Sequence, residues 1–187
     1  MPRALRNYVV VPDGIYHVIV RGNNKMRVFH DADDYDAYLK YLLNAAKDHR
    51  VTIYHYVLMP NHVHILAKPT SDLSSFMHAV QMPFAKRYCK KYKFVGHVWQ
   101  GRFKSLIVAT DPYLFACGNY IEMNPVRAKL VASPEKWHYS SYGVYAFGET
   151  DPLVTVDPFY ETLGATDLER QSAYQRLVST TRFSPDP

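Results

Sequence analysis

Apolar and polar positions alternate along the first half of the chain in blocks that predict its secondary structure. Short runs rich in β-branched and aromatic residues, bounded by glycine or by a proline turn, are typical of strands. One longer stretch opens with acidic residues and then repeats leucine and alanine at helical spacing, as a core-facing helix does. The pattern therefore predicts strands at residues 15–21, 51–58 and 62–68, the last two joined as a hairpin, and a helix at 31–49.

The second half of the chain continues this mixture of helical and extended patterns. Ser71 and Asp72 open a helical pattern, and either side chain can accept hydrogen bonds from the first free amides of the helix. A third helix should end near Asn124, because Pro125 disfavours helical backbone at the residue before it. The patterns predict helices at 71–92 and from 111 to about 124, a strand or hairpin at 98–109, and a short helix near 168–178.

The order of these elements is strand, helix, strand, strand, helix, strand and helix. That order predicts a ferredoxin-like α+β sandwich, in which a central antiparallel sheet carries helices on one face. Residues 1–132 should form this domain. Residues 133–187 contain scattered proline, tyrosine and tryptophan, and they should form a C-terminal extension packed on the same domain.

Composition narrows the class of protein further. The 187 residues are 48% apolar and 21% charged, which is a globular balance, and the net charge of +5 attracts polyanions only weakly. Two cysteines are too few for a disulfide framework. The N-terminal sequence lacks the apolar core of a signal peptide, and no run approaches the ~18 apolar residues of a membrane span. We therefore expect a soluble cytoplasmic protein without membrane contact.

Two histidines in the predicted third strand are the first candidates for chemistry. His62 and His64 are separated by one residue, so their side chains point to the same face of the sheet. At ~3.3 Å per residue their Cα atoms lie roughly 6.5 Å apart, which lets two imidazoles converge on one divalent cation. The residues alone leave open a second interpretation, in which both are ordinary surface or hydrogen-bonded histidines.

Tyr120 and Asn124 are the second pair of candidates. They are four positions apart near the end of the third predicted helix and therefore share one face. An amide oxygen can be a third metal ligand, and a phenol beside it can attack a phosphodiester and form a covalent phosphotyrosine. The alternative is structural: Tyr120 is one of 16 tyrosines, and Asn124 caps the helix before Pro125.

These residues lie in segments that resemble the HUH tyrosine transposases, which cut single-stranded DNA. The chain most closely resembles the REP-associated tyrosine transposases, a branch of the IS200-like superfamily. The resemblance covers roughly residues 8–145. It rests on residues 14–24 (GIYHVIVRGNN), 56–66 (YVLMPNHVHIL), 98–105 (VWQGRFKS), 120–128 (YIEMNPVRA) and 137–142 (WHYSSY).

The resemblance implies roles for the candidate residues. It makes residues 1–132 the catalytic domain, with the histidine strand central in a ferredoxin-like sheet. Tyr120 would be the nucleophile, and His62 and His64 would bind Mg²⁺ or Mn²⁺. Asn124 would be the third ligand, although relatives often carry a glutamine in that role.

The same resemblance implies a reaction and a partner. One DNA strand would be cut to a 5′-phosphotyrosine and a free 3′-OH, and strand transfer would follow. The usual substrate is a single-stranded DNA hairpin of the repetitive extragenic palindromic (REP) type. We expect a monomer rather than a homodimer.

Several cations and one flat ring suit contacts with single-stranded DNA. Trp99 offers a stacking surface, although it can instead anchor the core of the predicted hairpin. His17 is a further candidate, for a supporting role beside the metal ligands. The DNA-binding candidates are Arg21, Trp99, Gln100, Arg102, Lys104 and Arg127.

Three other functions stay open at this point. A replication initiator of plasmid or phage type would nick DNA by the same chemistry, although the chain is short and has no helicase. A non-catalytic protein that binds DNA or RNA hairpins would use the aromatic residues and not Tyr120. A hydrolase would use a metal-activated water and leave no covalent product.

Overall fold

The structure is a computed structural model that describes residue 11 and residues 14–70, 72–108 and 111–180. Its centre is one antiparallel sheet with the strand order β2-β3-β1-β4. β3 lies between β2 and β1, so the strand that carries the two histidines is central. The strands are β1 (Ile15–Arg21), β2 (Val51–Met59), β3 (His62–Pro69) and β4 (Lys104–Val108).

Helices α1 (Ala32–Asp48) and α2 (Leu73–Tyr92) pack side by side on one face of the sheet. Val18 of β1 and Ile65 of β3 are buried against Leu42 of α1 in the main hydrophobic core. The residues of this core take every second position along these two strands, as one face of a sheet requires. The predicted ferredoxin-like α+β sandwich is therefore confirmed.

Aspartates fix the beginnings of both core helices. The carboxylate of Asp31 accepts a hydrogen bond at 3.1 Å from an amide in the first turn of α1. Asp72 accepts two such bonds in α2, at 2.9 and 3.0 Å. Asp72 is thus the cap of α2, while the alternative cap Ser71 lies outside the described residues. Each cap satisfies backbone donors that the helix leaves unpaired.

Helix α3 (Asp111–Glu122) covers the opposite face of the sheet. Its apolar residues Leu114, Cys117 and Ile121 pack on Leu66 of β3 and Val57 of β2. The side chains of His62 and His64 alternate with Val63, which is in the main core. Both histidines therefore point to the face that α3 covers.

The fourth strand is shorter than predicted, whereas the third helix ends close to its predicted position. The strand or hairpin at 98–109 reduces to β4, and residues 98–103 form an irregular segment joined to β1 by one bridge, between Trp99 and Gly22. Helix α3 ends at Glu122, close to the predicted end near Asn124, and a short helix α4 (Asn124–Arg127) follows after Met123. Pro125 has no amide hydrogen to continue the bonding of α3, which accounts for this end.

The C-terminal extension packs on the outer side of α3. It contains α5 (Tyr142–Phe147) and α6 (Asp167–Thr180), and α6 confirms the predicted terminal helix. Tyr145 and Tyr174 are buried in a cluster with Phe115 of α3. The boundary at residue 132 stays a prediction.

Within the described ranges, no helix is both long and apolar enough to span a bilayer.

Candidate active site

Three histidines meet on the face of the sheet beneath α3. His62 and His64 are on β3, and His17 is on the neighbouring β1, where the register pairs it with Leu66. The centroid of the His64 ring is 5.0 Å from that of His17 and 5.0 Å from that of His62. The structure thus brings the two predicted ligands together and adds His17 beside them.

Hydrogen bonds orient both predicted ligands through the same ring nitrogen. Nδ1 of His62 lies 2.6 Å from Oδ1 of Asn61, which can only accept, so His62 carries its proton on Nδ1. Nδ1 of His64 lies 2.8 Å from Nε2 of His17. When His64 donates in that pair, Nε2 of both His62 and His64 is the nitrogen with a lone pair for a metal.

Burial keeps these imidazoles neutral. Burial lowers the pKa of His17 to about 4, and burial together with the charge of Arg21 lowers that of His62 to about 4. Burial, the neighbouring His17 and His62, and the guanidinium charges of Arg21 and Arg127 hold the pKa of His64 well below its usual value. Neutral imidazole is the form that binds a metal ion, so near pH 7 the pair is ready to act as ligands.

Tyr120 lies on α3 directly over this group. It is buried, and its ring centroid is 5.8 Å from that of His64 and 6.1 Å from that of His17. Arg127 folds back from α4 and places its guanidinium carbon 4.5 Å from the centre of the Tyr120 ring. A phenol, a guanidinium and two imidazoles therefore converge within one chain.

Asn124 is tied to the same turn of helix. Its Nδ2 donates a 2.9 Å hydrogen bond to the backbone oxygen of Tyr120. This bond uses the amide nitrogen and leaves the amide oxygen as the ligand-type atom. Two imidazole nitrogens and one amide oxygen fit Mn²⁺ or Mg²⁺, whose remaining coordination positions would take water or phosphate oxygens.

A second group with metal-ligating side chains lies elsewhere, at the start of α1. Asp31, Asp33 and Asp34 bring three carboxylates together. The ammonium of Lys91 lies 2.7, 3.0 and 2.9 Å from them, and Arg87 pairs with Asp33 and Asp34. The carboxylates thus join α1 to α2 through ion pairs with Arg87 and Lys91.

The predicted DNA-binding residues fall into two groups. Five of them are exposed: Arg21, Gln100, Arg102, Lys104 and Arg127. The backbone N–H of Gln100 donates a 2.9 Å hydrogen bond to the backbone carbonyl oxygen of Arg21, and Arg21 pairs in register with His62. Part of this group therefore adjoins the histidine face, and its role in binding stays a prediction.

Trp99 differs from these exposed residues. Its indole Nε1 donates a 3.2 Å hydrogen bond to the carbonyl oxygen of Gln81, and its ring centroid is 5.5 Å from that of Phe84. The ring packs against the main core and is half-buried. This placement is the one expected of a core anchor for the 98–103 segment.

The sequence interpretation missed a buried polar cluster behind α3. His55 of β2 lies between Glu122 of α3 and Asp157 of the extension, and all three are fully buried. Burial alone would lower the pKa of His55, but its hydrogen bonds to Asp157 and Glu122 outweigh burial and raise it to about 9. A histidine inside an apolar strand is the signal that could have pointed here, because a buried imidazole needs partners.

Comparison with known proteins agrees with this geometry. A family model described as "Transposase IS200 like" matches residues 10–124, and a search of the curated proteins gives no match. The fold is similar to that of the REP-associated tyrosine transposase bound to a REP hairpin, with a TM-score of 0.63 and 19% identity over 82% of this chain and 92% of that one. A Deinococcus radiodurans R1 protein assigned to the transposases gives a TM-score of 0.44 and 20% identity over 74% of this chain and 98% of its own. Because the family model spans more than half of its length, the chain belongs to the IS200-like transposase family, whose members are DNA-processing enzymes.

Proposed function

We propose that this chain is a metal-dependent endonuclease and strand transferase of single-stranded DNA that acts on REP-type palindromic hairpins. The observation that carries the proposal is the 5.8 Å separation of the Tyr120 and His64 ring centroids inside one chain. A phenol beside paired neutral imidazoles is what covalent phosphotyrosine chemistry needs. The solved relative bound to a REP hairpin supports the class of substrate.

In this proposal His62, His64 and Asn124 hold Mg²⁺ or Mn²⁺. The bound cation would polarise the scissile phosphate and offset the charge that develops in the transition state. The hydrogen bonds that His62 and His64 donate to Asn61 and His17 would fix the orientation of the two imidazoles before any ion arrives. All three protein ligands are neutral, so the positive charge of the ion remains available to the DNA.

The proposed reaction forms one bond and breaks one bond at phosphorus. The oxygen of Tyr120 bonds to the phosphorus while the bond to the 3′ oxygen breaks. The phenol gives up its proton and the 3′ oxygen gains one, so the products are a 5′-phosphotyrosine and a free 3′-OH. Attack by the 3′-OH of another strand reverses the step and rejoins DNA without a nucleotide cofactor.

Positive side chains would hold the phosphate for this attack. The guanidinium of Arg127 lies over the Tyr120 ring, and Arg21 adjoins His62 across the β1–β3 register. We propose that Arg102, Lys104 and Gln100 continue this track away from the site, and that Trp99 contributes its accessible edge. Cations that follow a backbone are the usual means of holding single-stranded DNA.

The test is a denaturing gel of 5′- and 3′-labelled REP hairpin incubated with Mn²⁺. We expect a covalent protein–DNA adduct from the unmodified chain and none from Tyr120→Phe. Tyr113→Phe is the matched control, because Tyr113 is an exposed tyrosine on the same helix. Cleavage that survives Tyr120→Phe would indicate a hydrolase, and a shift seen only on native gels would indicate a hairpin-binding protein.

We also propose that the enzyme is a monomer, because one chain supplies both the tyrosine and the histidines. A mixture of Tyr120→Phe and His64→Ala chains tests this point in the same assay. Neither variant should act alone, and the mixture should stay inactive. An adduct from the mixture would show that two chains share a site.

A further inference from the structure

A fully buried ionic contact joins the sheet, the tyrosine helix and the C-terminal extension. The ring of His55 on β2 has Nδ1 2.9 Å from a carboxylate oxygen of Glu122 and Nε2 3.0 Å from one of Asp157. Carboxylates only accept, so both ring nitrogens donate and the imidazole carries a positive charge. Charged groups this deep are retained only when each has its partners.

Glu122 is the centre of this contact. Besides His55, it accepts hydrogen bonds at 2.6 Å from the hydroxyl of Ser141 and at 2.6 Å from the hydroxyl of Tyr174. Ser141 and Tyr174 both belong to the extension, and Glu122 follows Tyr120 by two residues on α3. The set of Glu122, His55, Asp157, Ser141 and Tyr174 is called the Glu122 clamp below.

The backbone of α3 packs directly against the ring of His55. A Cβ atom at Gly118 of α3 would lie 2.6 Å from Nε2 of His55, so only glycine permits this approach. The opposite face of the ring stacks on Tyr145 of the extension, with centroids 4.3 Å apart and planes 13° apart. Helix, strand and extension are thus in contact around one imidazole.

We propose that the Glu122 clamp positions Tyr120 for attack, so that the C-terminal extension is part of the catalytic apparatus. The proposal rests on the proposed function, since it concerns the placement of the nucleophile. Glu122 and Gly118 flank Tyr120 at two residues on either side, and both are fixed to the sheet or to the extension. Fixing the helix at these two points limits both sliding and rotation of α3 over the histidines, which a precise in-line attack requires.

A pair of tyrosine variants tests the proposal without emptying the core. Tyr174→Phe removes one hydrogen bond to Glu122. Tyr160→Phe is the matched control, because the Tyr160 hydroxyl donates 2.8 Å to the carbonyl oxygen of Tyr145 in the same buried cluster. Both variants lose one buried hydroxyl, and only Tyr174→Phe weakens the clamp.

Each variant is assayed for REP-hairpin affinity, for the rate of adduct formation at saturating hairpin with Mn²⁺, and for unfolding in urea. We expect Tyr174→Phe to slow adduct formation by about tenfold with unchanged hairpin affinity. Tyr160→Phe should form the adduct at the rate of the unmodified chain, even if it unfolds at the same urea concentration as Tyr174→Phe. If the loss of stability alone caused the effect, adduct formation would slow equally in both variants.

Amide hydrogen exchange gives a second readout on the metal-free, DNA-free chain. Exchange in α3 should be faster in Tyr174→Phe than in Tyr160→Phe. Equal adduct rates and equal α3 exchange in the two variants would overturn the positioning role while Tyr120→Phe still tests the nucleophile. An unmodified chain that forms no adduct would instead overturn the proposed function and, with it, the positioning of a nucleophile.

Discussion

At the scale of single residues, the proposed metal site depends on how its candidate ligands are held. His64 is nearly fully buried, and its Nδ1 is engaged with His17 on the next strand. A ring oriented before metal arrives loses little freedom on binding, and partners that orient ligands typically change metal affinity by about 10–100-fold when removed. A substitution of His17 therefore tests how much the orientation of His64 contributes to metal binding, because it leaves the proposed ligands themselves unchanged.

We predict that His17→Leu weakens Mn²⁺ binding by about 10–100-fold, because the Nδ1 proton of His64 loses its acceptor. His17→Gln should recover part of the affinity, since an amide oxygen can accept the same proton. Titration of the DNA-free protein, followed by the signal of free Mn²⁺ in electron paramagnetic resonance, measures both. His78→Leu, at an exposed histidine on α2, is the control. Equal affinities for the unmodified chain and His17→Leu would contradict the orienting role.

Local patterns predicted which candidate residues share a face, but they did not predict the residues that hold those candidates in place. The one-residue spacing of His62 and His64 and the four-residue spacing of Tyr120 and Asn124 each define a shared face from the chain alone. The partner of His64 is 47 positions away, on another strand, and no local pattern contains that information. The same holds for His55, whose carboxylate partners lie 67 and 102 positions along the chain.

At the scale of secondary-structure elements, periodicity predicted the sheet and its two core helices, because each buries one regular face. It failed at residues 98–103, where Trp99 turns into the core and breaks the strand pattern. It also did not indicate that α3 lies on the face opposite α1 and α2. That arrangement follows from tertiary contacts, above all from the close approach of α3 to β2 at Gly118.

The close contact between Gly118 of α3 and His55 of β2 gives a prediction about how α3 packs on the sheet. Gly118→Ala should destabilise the protein by about 1–3 kcal/mol, because the new methyl group would overlap the His55 ring that two carboxylates hold in place. Alanine is the better helix former by about 1 kcal/mol, so a net loss shows that the close approach outweighs propensity.

Unfolding in urea measures this change, and Gly101→Ala is its control. Apart from the two neighbours in the chain, no heavy atom of the described residues lies within 4 Å of a Cβ at the exposed Gly101, so its substitution should change stability by less than about 0.5 kcal/mol. A Gly118→Ala chain as stable as Gly101→Ala would show that α3 can move away from His55 at little cost.

At the scale of the whole molecule, the buried ionic cluster should govern how stability depends on pH. His55 faces Glu122 and Asp157, with the hydroxyl-bearing rings of Tyr145 and Tyr174 around them. Burial raises the pKa of both tyrosines well above 10, so they stay neutral below pH 9. Burial tends to raise the pKa of Asp157, but its bond to His55 outweighs this and holds it below the usual value. Asp157 therefore loses its contribution only as pH falls into the acid range.

The contribution of His55 to stability changes with pH in the opposite direction to that of Asp157. Its pKa is about 9 in the folded chain and 6.5 in an unfolded one, so the folded state binds the proton more tightly. This contribution to stability is fully present below pH 6.5 and is lost as pH rises through 9. We predict that the free energy of unfolding falls by up to about 3 kcal/mol over that window. Urea unfolding at intervals from pH 6 to pH 9.5 measures the fall, and His55→Gln should flatten it, since glutamine does not titrate. Stability that holds constant or increases over this window in the unmodified chain would mean that His55 is neutral between its two carboxylates, and the Glu122 clamp would then lack the charge that the structure indicates.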